Sequence, residues 1–270
     1  MFDLHMHTTY CDGSASAEEM VLSAINMGLD TVGISGHSYT YFDESYCMSL
    51  EGTEKYIREV NALKGKYADR IRVLLGIERD LFADISNDPF DYVIGSSHYI
   101  SAGNEFFDVD SDPETFMDGV RRNFGGDVMA AVSQYYEQVG SIIETCDCDI
   151  IGHFDLVTKF NEREELIDTR DTAYIKAWKA AADRLFDAAS SRADAGRANR
   201  LEDLGLVRAG RSPVFEINTG AMAKGYRTSP YPAPDQIEYI KSRGGILLLS
   251  SDSHRTDTLC HGFDSFRGLL

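Results

Sequence analysis

The chain has 270 residues, 43% of them hydrophobic and 26% charged, a composition with enough apolar side chains for a sizeable buried core. Twenty-six basic against 44 acidic residues leave a formal charge of −18, which repels nucleic-acid phosphates and anionic lipid, so neither nucleic acid nor a membrane surface is expected as a partner. There is no 18-residue apolar run and no basic-then-apolar leader, and the five cysteines lack the spacing of a disulfide framework, so a cytoplasmic protein is the expectation.

Asp3-Leu4-His5-Met6-His7-Thr8-Thr9 opens the chain as a strand. Side chains of a strand alternate faces, so His5 and His7 point the same way, about 7 Å apart, as a ready metal clamp. Ser16 followed by Glu19 is a capping box that starts a helix through about Met27, ended by Gly28. Thr31 to Ser35 is the second strand, with Gly36-His37-Ser38 at its exit, then an aromatic and acidic loop from Tyr39 to Glu44, then a helix over roughly Leu50 to Tyr67. The continuous apolar run Arg72 to Glu78 suits a strand covered on both faces, and it delivers Glu78 at its end. Asp91 to Gly95 is the fourth strand and delivers His98.

The acid-rich stretch after Tyr99 reads as a solvated face with no function beyond substrate access, followed by helices, one of them over Asp127 to Thr145. Cys146 and Cys148 read as half-buried thiols leading into the fifth strand, which exits through Gly152-His153-Phe154-Asp155. A long amphipathic helix over about Thr172 to Ala189 precedes a segment, Ser191 to Arg211, that has no strand pattern and reads as an excursion on the surface. Val214 to Asn218 and Ile246 to Ser250 are the sixth and seventh strands, with a helix from Pro234 to Arg243 between them. Seven strands separated mostly by helices imply parallel pairing and right-handed crossovers. No linker divides the chain, so residues 1–270 are expected to form one α/β domain. A closed or nearly closed barrel is preferred to an open doubly wound sheet.

Six of the seven histidines sit at predicted strand exits, and a barrel brings its exits together at one end. His5, His7, Asp12, His37, Glu78, His98, His153, Asp252 and His254 then collect in one place. Nine nitrogen and oxygen ligands exceed the needs of one tetrahedral ion and suffice for two or three divalent ions bridged by a carboxylate; the lack of thiolates argues against a structural zinc site.

His5-Met-His7-Thr, Gly36-His37-Ser38, Gly76-Ile77-Glu78, Gly95-Ser96-Ser97-His98, Gly152-His153-Phe154-Asp155, Glu216-Ile217-Asn218-Thr219 and Ser251-Asp252-Ser253-His254 together resemble the successive motifs of the polymerase and histidinol phosphatase (PHP) superfamily. Gly225-Tyr226-Arg227 with Tyr231-Pro232 also resembles a late loop of its stand-alone histidinol-phosphatases. The resemblance implies a distorted (β/α)7 TIM-like barrel and a site of two to three zinc, manganese or iron ions. Carried over, one ion would be held by His5, His7, Glu78 and Asp252, a second by Glu78, His98 and His153, and a third by Asp12, His37 and His254. Many relatives have His where this chain has Asp12, and a carboxylate there favours manganese or iron over zinc.

The implied activity is hydrolysis of L-histidinol phosphate, with Glu78, Asp252, His254 and Arg227 as reacting groups. Arg227 and Lys159 are the expected phosphate-binding cations, and Tyr41, in the aromatic loop, the expected contact to the imidazole and amine. Glu216 and Asn218 are expected to brace ligands rather than bind metal. A phosphoesterase acting on nucleotides or short oligonucleotides is the alternative. A non-catalytic metal-binding module is set aside because the ligand set is complete. Nothing in the sequence indicates an oligomeric state.

Overall fold

The computed structural model describes residues 1–270. Its first half contains β1 (Phe2–Asp3), α1 (Ala17–Asn26), β2 (Thr31–Ile34), α2 (Leu50–Lys66), β3 (Arg72–Asp80), β4 (Tyr92–Ser96), β5 (Tyr99–Ala102), β6 (Glu105–Asp108), α3 (Pro113–Phe124) and α4 (Val128–Gly140). The second half adds α5 (Ile142–Cys146), β7 (Ile150–Ile151), α6 (Thr172–Asp194), α7 (Arg200–Asp203), β8 (Val214–Asn218), α8 (Gly220–Ala223), α9 (Pro234–Ser242), β9 (Ile246–Ser250) and α10 (Phe263–Phe266).

Seven of the strands form one parallel sheet in the order β1-β2-β3-β4-β7-β8-β9. Its edges meet: Met6 bridges Ser253 in parallel, with His7 N–H donating to Ser253 O at 2.8 Å and Ser253 N–H to His5 O at 3.2 Å. The chain is thus a nearly closed, distorted (β/α)7 barrel, and strand order follows chain order as right-handed crossovers require. Closure leaves no free sheet edge and sends every strand exit to one face.

The helices begin where side chains can cap them. Ser16 and Glu19 form the reciprocal capping box of α1, and Ser49, Asp112, Asp127 and Asp171 accept from the first turns of α2, α3, α4 and α6. The helix expected over Asp127 to Thr145 is two, α4 and α5, broken at Ser141. The one expected to end near Ala189 runs on to Asp194.

Tyr92 fills the barrel interior, and its hydroxyl donates to Leu4 O at 2.5 Å. A Cβ on Gly33 or Gly76 would lie 2.2 Å from that phenol, so glycine is needed at both positions for the ring to fit. Below Tyr92 lies an apolar layer containing Leu4, Leu74, Ile150, Val214, Leu248, Leu201 and Ala209.

Leu201 and Ala209 belong to the segment expected as a surface excursion, so although much of Ser191 to Arg211 is exposed, its middle closes the bottom of the barrel. Leu201 is fully buried, Arg192 is buried and donates to Cys148 O at 2.5 Å, and Arg200 pairs with Asp149 at 2.9 Å. Arginines that resemble surface charges by count here satisfy carbonyls and a carboxylate at the strand entrances.

Candidate metal centre

β3 carries Glu78 to the exit face, where five imidazoles surround its carboxylate. Oε2 lies 3.2 Å from His5 Nε2, 3.4 Å from His7 Nε2 and 2.9 Å from His37 Nδ1. Oε1 lies 3.3 Å from His98 Nε2 and 2.9 Å from His153 Nε2. One carboxylate therefore faces two separate groups of histidines, the geometry a bridging ligand needs.

Asp252 Oδ1 adds contacts of 3.0 Å to His7 Nε2 and 3.7 Å to His5 Nε2. Asp12 stands on the far side, with Oδ2 3.0 Å from His254 Nε2 and Oδ1 3.5 Å from His7 Nδ1 and 3.7 Å from His37 Nε2. All nine residues expected as ligands are thus gathered in one place. They divide into His7, Asp12, His37 and His254; His5, His7 and Asp252; and His37, Glu78 and His98, with His153 joining the last through Glu78. His7 and His37 each face two groups, a sharing that the sequence does not indicate.

The electrostatics follow from burial among opposite charges. Burial disfavours the Glu78 carboxylate, but the imidazoles of His37, His5 and His98 outweigh it and hold the group well below the usual carboxylate range. Burial likewise opposes protonation of His5 and His98, yet Glu216 and Glu78 raise His5, and Glu78 and Asp80 raise His98, both well above the usual imidazole value. His7 goes the other way: burial, together with His254 and His37, pushes it down to about 3.

Three buried atoms that converge here, His5 Nε2, His7 Nε2 and Glu78 Oε2, have no hydrogen-bond partner in the protein. Orphaned buried donors and acceptors are costly, and a nitrogen and oxygen set without thiolate is the chemistry of a catalytic cluster of zinc, manganese or iron. The residues therefore fit divalent ions.

Other side chains orient the histidines. Glu216 Oε2 is 2.8 Å from His5 Nδ1, and its Oε1 accepts from the His153 N–H at 2.5 Å and from Asn218 Nδ2 at 2.8 Å. Asn218 also donates to Asp252 Oδ2 at 3.3 Å, so the expected bracing pair does contact ligands. Asp80, absent from the sequence reading, lies 3.1 Å from His98 Nδ1. The signal was available, because Glu78 and Asp80 share one strand face just as His5 and His7 do. Asp252 itself holds a left-handed backbone, with φ 49°, a strained conformation of the kind that clusters at functional sites.

The cluster lies at the bottom of a cavity of about 280 Å³. Asp43, Tyr46, Tyr99 and Asp108 form an acidic and aromatic wall, and Asp110, paired with Lys159, joins it to a lining that also includes Lys224 and Tyr231. The first wall is built by the β5–β6 hairpin and the loop after β2, locked together by Phe42 stacked on Phe106 at 4.1 Å and by Tyr99 Oη donating to Asp43 at 2.8 Å. The stretch read as a solvated acidic face is therefore partly a cavity wall. Gly103-Asn104 between apolar residues was the available hairpin signal. Burial and the charge of Asp110 push Asp108 up to about 7.

Three expected substrate contacts need revision or qualification. Tyr41 is 61% exposed and packs edge-on against Phe42, outside the cavity, and Tyr46 takes the inward place. Arg227 lines a neighbouring cleft instead; its Nη1 donates to Thr158 Oγ1 at 2.7 Å and lies 3.5 Å from Asp155 Oδ2. Its Nη1 is engaged there and the guanidinium lines that cleft rather than the cavity over the cluster. Lys159 does line the cavity, but paired with Asp110 at 2.9 Å. Lys224, which the sequence reading passed over, is a further cation there, 3.4 Å from His254 Nε2.

Comparison with known proteins agrees with this fold. The PHP domain model matches residues 3–191. A protein of Deinococcus radiodurans named "Probable histidinol-phosphatase" is 28% identical over 94% of this chain and 86% of its own length. Among solved structures, the HisK protein of Listeria monocytogenes superposes with a TM-score of 0.77 at 20% identity, covering 98% of this chain and all of the other. Histidinol phosphate phosphatase of Lactococcus lactis, solved with zinc, L-histidinol and phosphate, superposes with a TM-score of 0.65 at 20% identity over 99% of this chain and 91% of its own.

Proposed function

The chain belongs to the PHP domain family, and from that premise we propose that it is a metal-dependent phosphomonoesterase hydrolysing L-histidinol phosphate to L-histidinol and phosphate. Two to three zinc, manganese or iron ions are its cofactor, held by His5, His7, Glu78 and Asp252, by Glu78, His98 and His153, and by Asp12, His37 and His254. When bound, such ions neutralise phosphate oxygens and lower the pKa of a coordinated water. The protein's part is orientation. A proton on His5 Nδ1 shared with Glu216, and one on His98 Nδ1 shared with Asp80, leave the two Nε2 lone pairs facing the cluster.

The observation that carries the substrate is the polarity of the cavity. Lys224 and the Asp110-paired Lys159 offer cationic donors to a phosphate, and the acidic and aromatic residues Asp43, Asp108 and Tyr46 suit an ammonium and an imidazole. A polynucleotide would set further phosphates against that acidic wall and the net charge of −18, so no nucleic-acid partner is proposed. No helix is long and apolar enough to cross a membrane, and with five free cysteines the proposed location is the cytoplasm.

The test compares L-histidinol phosphate with the analogue that lacks the amine. Loss of an ionic hydrogen bond predicts a kcat/KM roughly 10- to 100-fold lower for the analogue. Equal values for the two would remove the acidic wall from the account.

A further inference from the structure

Tyr231 lines the cavity beside the cluster although only 1% of it is exposed, and its hydroxyl, buried beside the Arg227 guanidinium, makes no hydrogen bond of good geometry within the protein. Its ring centroid is 6.4 Å from that of His153. The backbone is fixed by a two-bond bridge to the end of β8, Asn218 N–H donating to Tyr231 O at 2.7 Å and Tyr231 N–H to Asn218 O at 3.0 Å. A buried phenol without a partner would ordinarily be replaced by phenylalanine, which packs as well and leaves nothing unsatisfied.

Arg227 lies against the same ring, its guanidinium carbon 4.2 Å from the centroid, with Nη1 held by Thr158. We infer that the Tyr231 hydroxyl donates a hydrogen bond to a phosphoryl oxygen of the substrate, and that Arg227 is a positioning residue that holds the ring in place. This rests on the phosphatase reading above. It explains why a loop carrying both residues is present although the arginine fork is turned away from the cavity. Tyr231 shares the cavity lining with Lys159 and Lys224, adding a neutral donor where those residues supply charge. Burial and the neighbouring Asp155 and Asp110, partly offset by Arg227, keep the phenol protonated well beyond neutral pH, so it acts as a donor throughout the working range.

The test is the affinity of metal-loaded protein for inorganic phosphate, measured by calorimetry on the parent, Tyr231→Phe, Arg227→Lys and the double variant. Tyr231→Phe is expected to weaken phosphate binding and to lower kcat/KM roughly 10- to 100-fold, with metal content and Tm unchanged. Arg227→Lys is expected to weaken binding in the parent and to have no further effect in the Tyr231→Phe background, because it acts through the ring. A merely structural arginine would cost the same in both. Parent-like phosphate affinity in Tyr231→Phe, or additive losses in the double variant, would overturn the inference, as would a parent that binds no phosphate at millimolar concentration. If the parent binds phosphate but does not cleave histidinol phosphate, the substrate reading fails while the phosphate affinities still decide the role of Tyr231.

Discussion

Glu78 is the residue on which the site turns, because each of its carboxylate oxygens faces a different set of imidazoles. Glu78→Gln keeps the shape and removes the charge, and it is expected to reduce activity more than any single His→Ala among the nine, since every other ligand has neighbours that partly replace it. Activity losses of equal size across the whole set would argue against a bridging carboxylate. Asp80→Asn, which removes the charge beside His98 Nδ1 and weakens its orientation, is expected to cost about 10- to 100-fold in metal affinity or activity, read by metal titration. Protonation gives a further check. His5 and His98 carry pKa values raised well above the imidazole norm without metal, so both hold a proton at neutral pH, and a metal ion must displace it. Loading at pH 7 should therefore release protons, and affinity should rise as pH increases through neutrality; calorimetry in buffers of different ionisation enthalpy measures this, and zero release would contradict it. The nine candidate ligands were legible because eight of them lie at or just after a predicted strand exit and Asp12 lies in the loop that follows the first one. Arg227 and Tyr41 were misplaced because what turns a loop side chain inward or outward is its partner, Thr158 in one case and Phe42 in the other, and neither partner is near enough in pattern to be read from a motif.

At the scale of elements, the seven sheet strands were legible from apolar runs bounded by glycine and acidic residues, whereas the β5–β6 hairpin and the barrel floor were not. The hairpin is short and rich in acids, so its cavity-facing side resembles a solvated loop. After the end of α6 the floor segment has one four-residue helix, α7, and only a few apolar residues, of which Leu201 is fully buried; such isolated burial leaves no periodic signature. Leu201→Ala is expected to destabilise the protein by about 2 to 5 kcal/mol, the range for a buried leucine, measured by denaturant unfolding, with phosphate affinity of the folded protein unchanged. A segment lying free on the surface would give a change within about 0.5 kcal/mol.

For the whole molecule, barrel closure and charge act together. Closure brings ligands from residue 5 to residue 254 into one cluster, and the net charge of −18 limits which phosphate esters approach it. L-histidinol phosphate carries its own cation, which on the proposed reading meets Asp43 and Asp108, while mononucleotides and oligonucleotides carry no such group near their phosphate. The most direct measurement is phosphate release by metal-loaded protein from L-histidinol phosphate, a mononucleotide and a short oligonucleotide, with bound metal quantified in the same sample. The account predicts two to three transition-metal ions per chain and a kcat/KM for L-histidinol phosphate at least about 100-fold above the others. Full activity with fewer than one ion per chain, or nucleotides cleaved as well as histidinol phosphate, would contradict it.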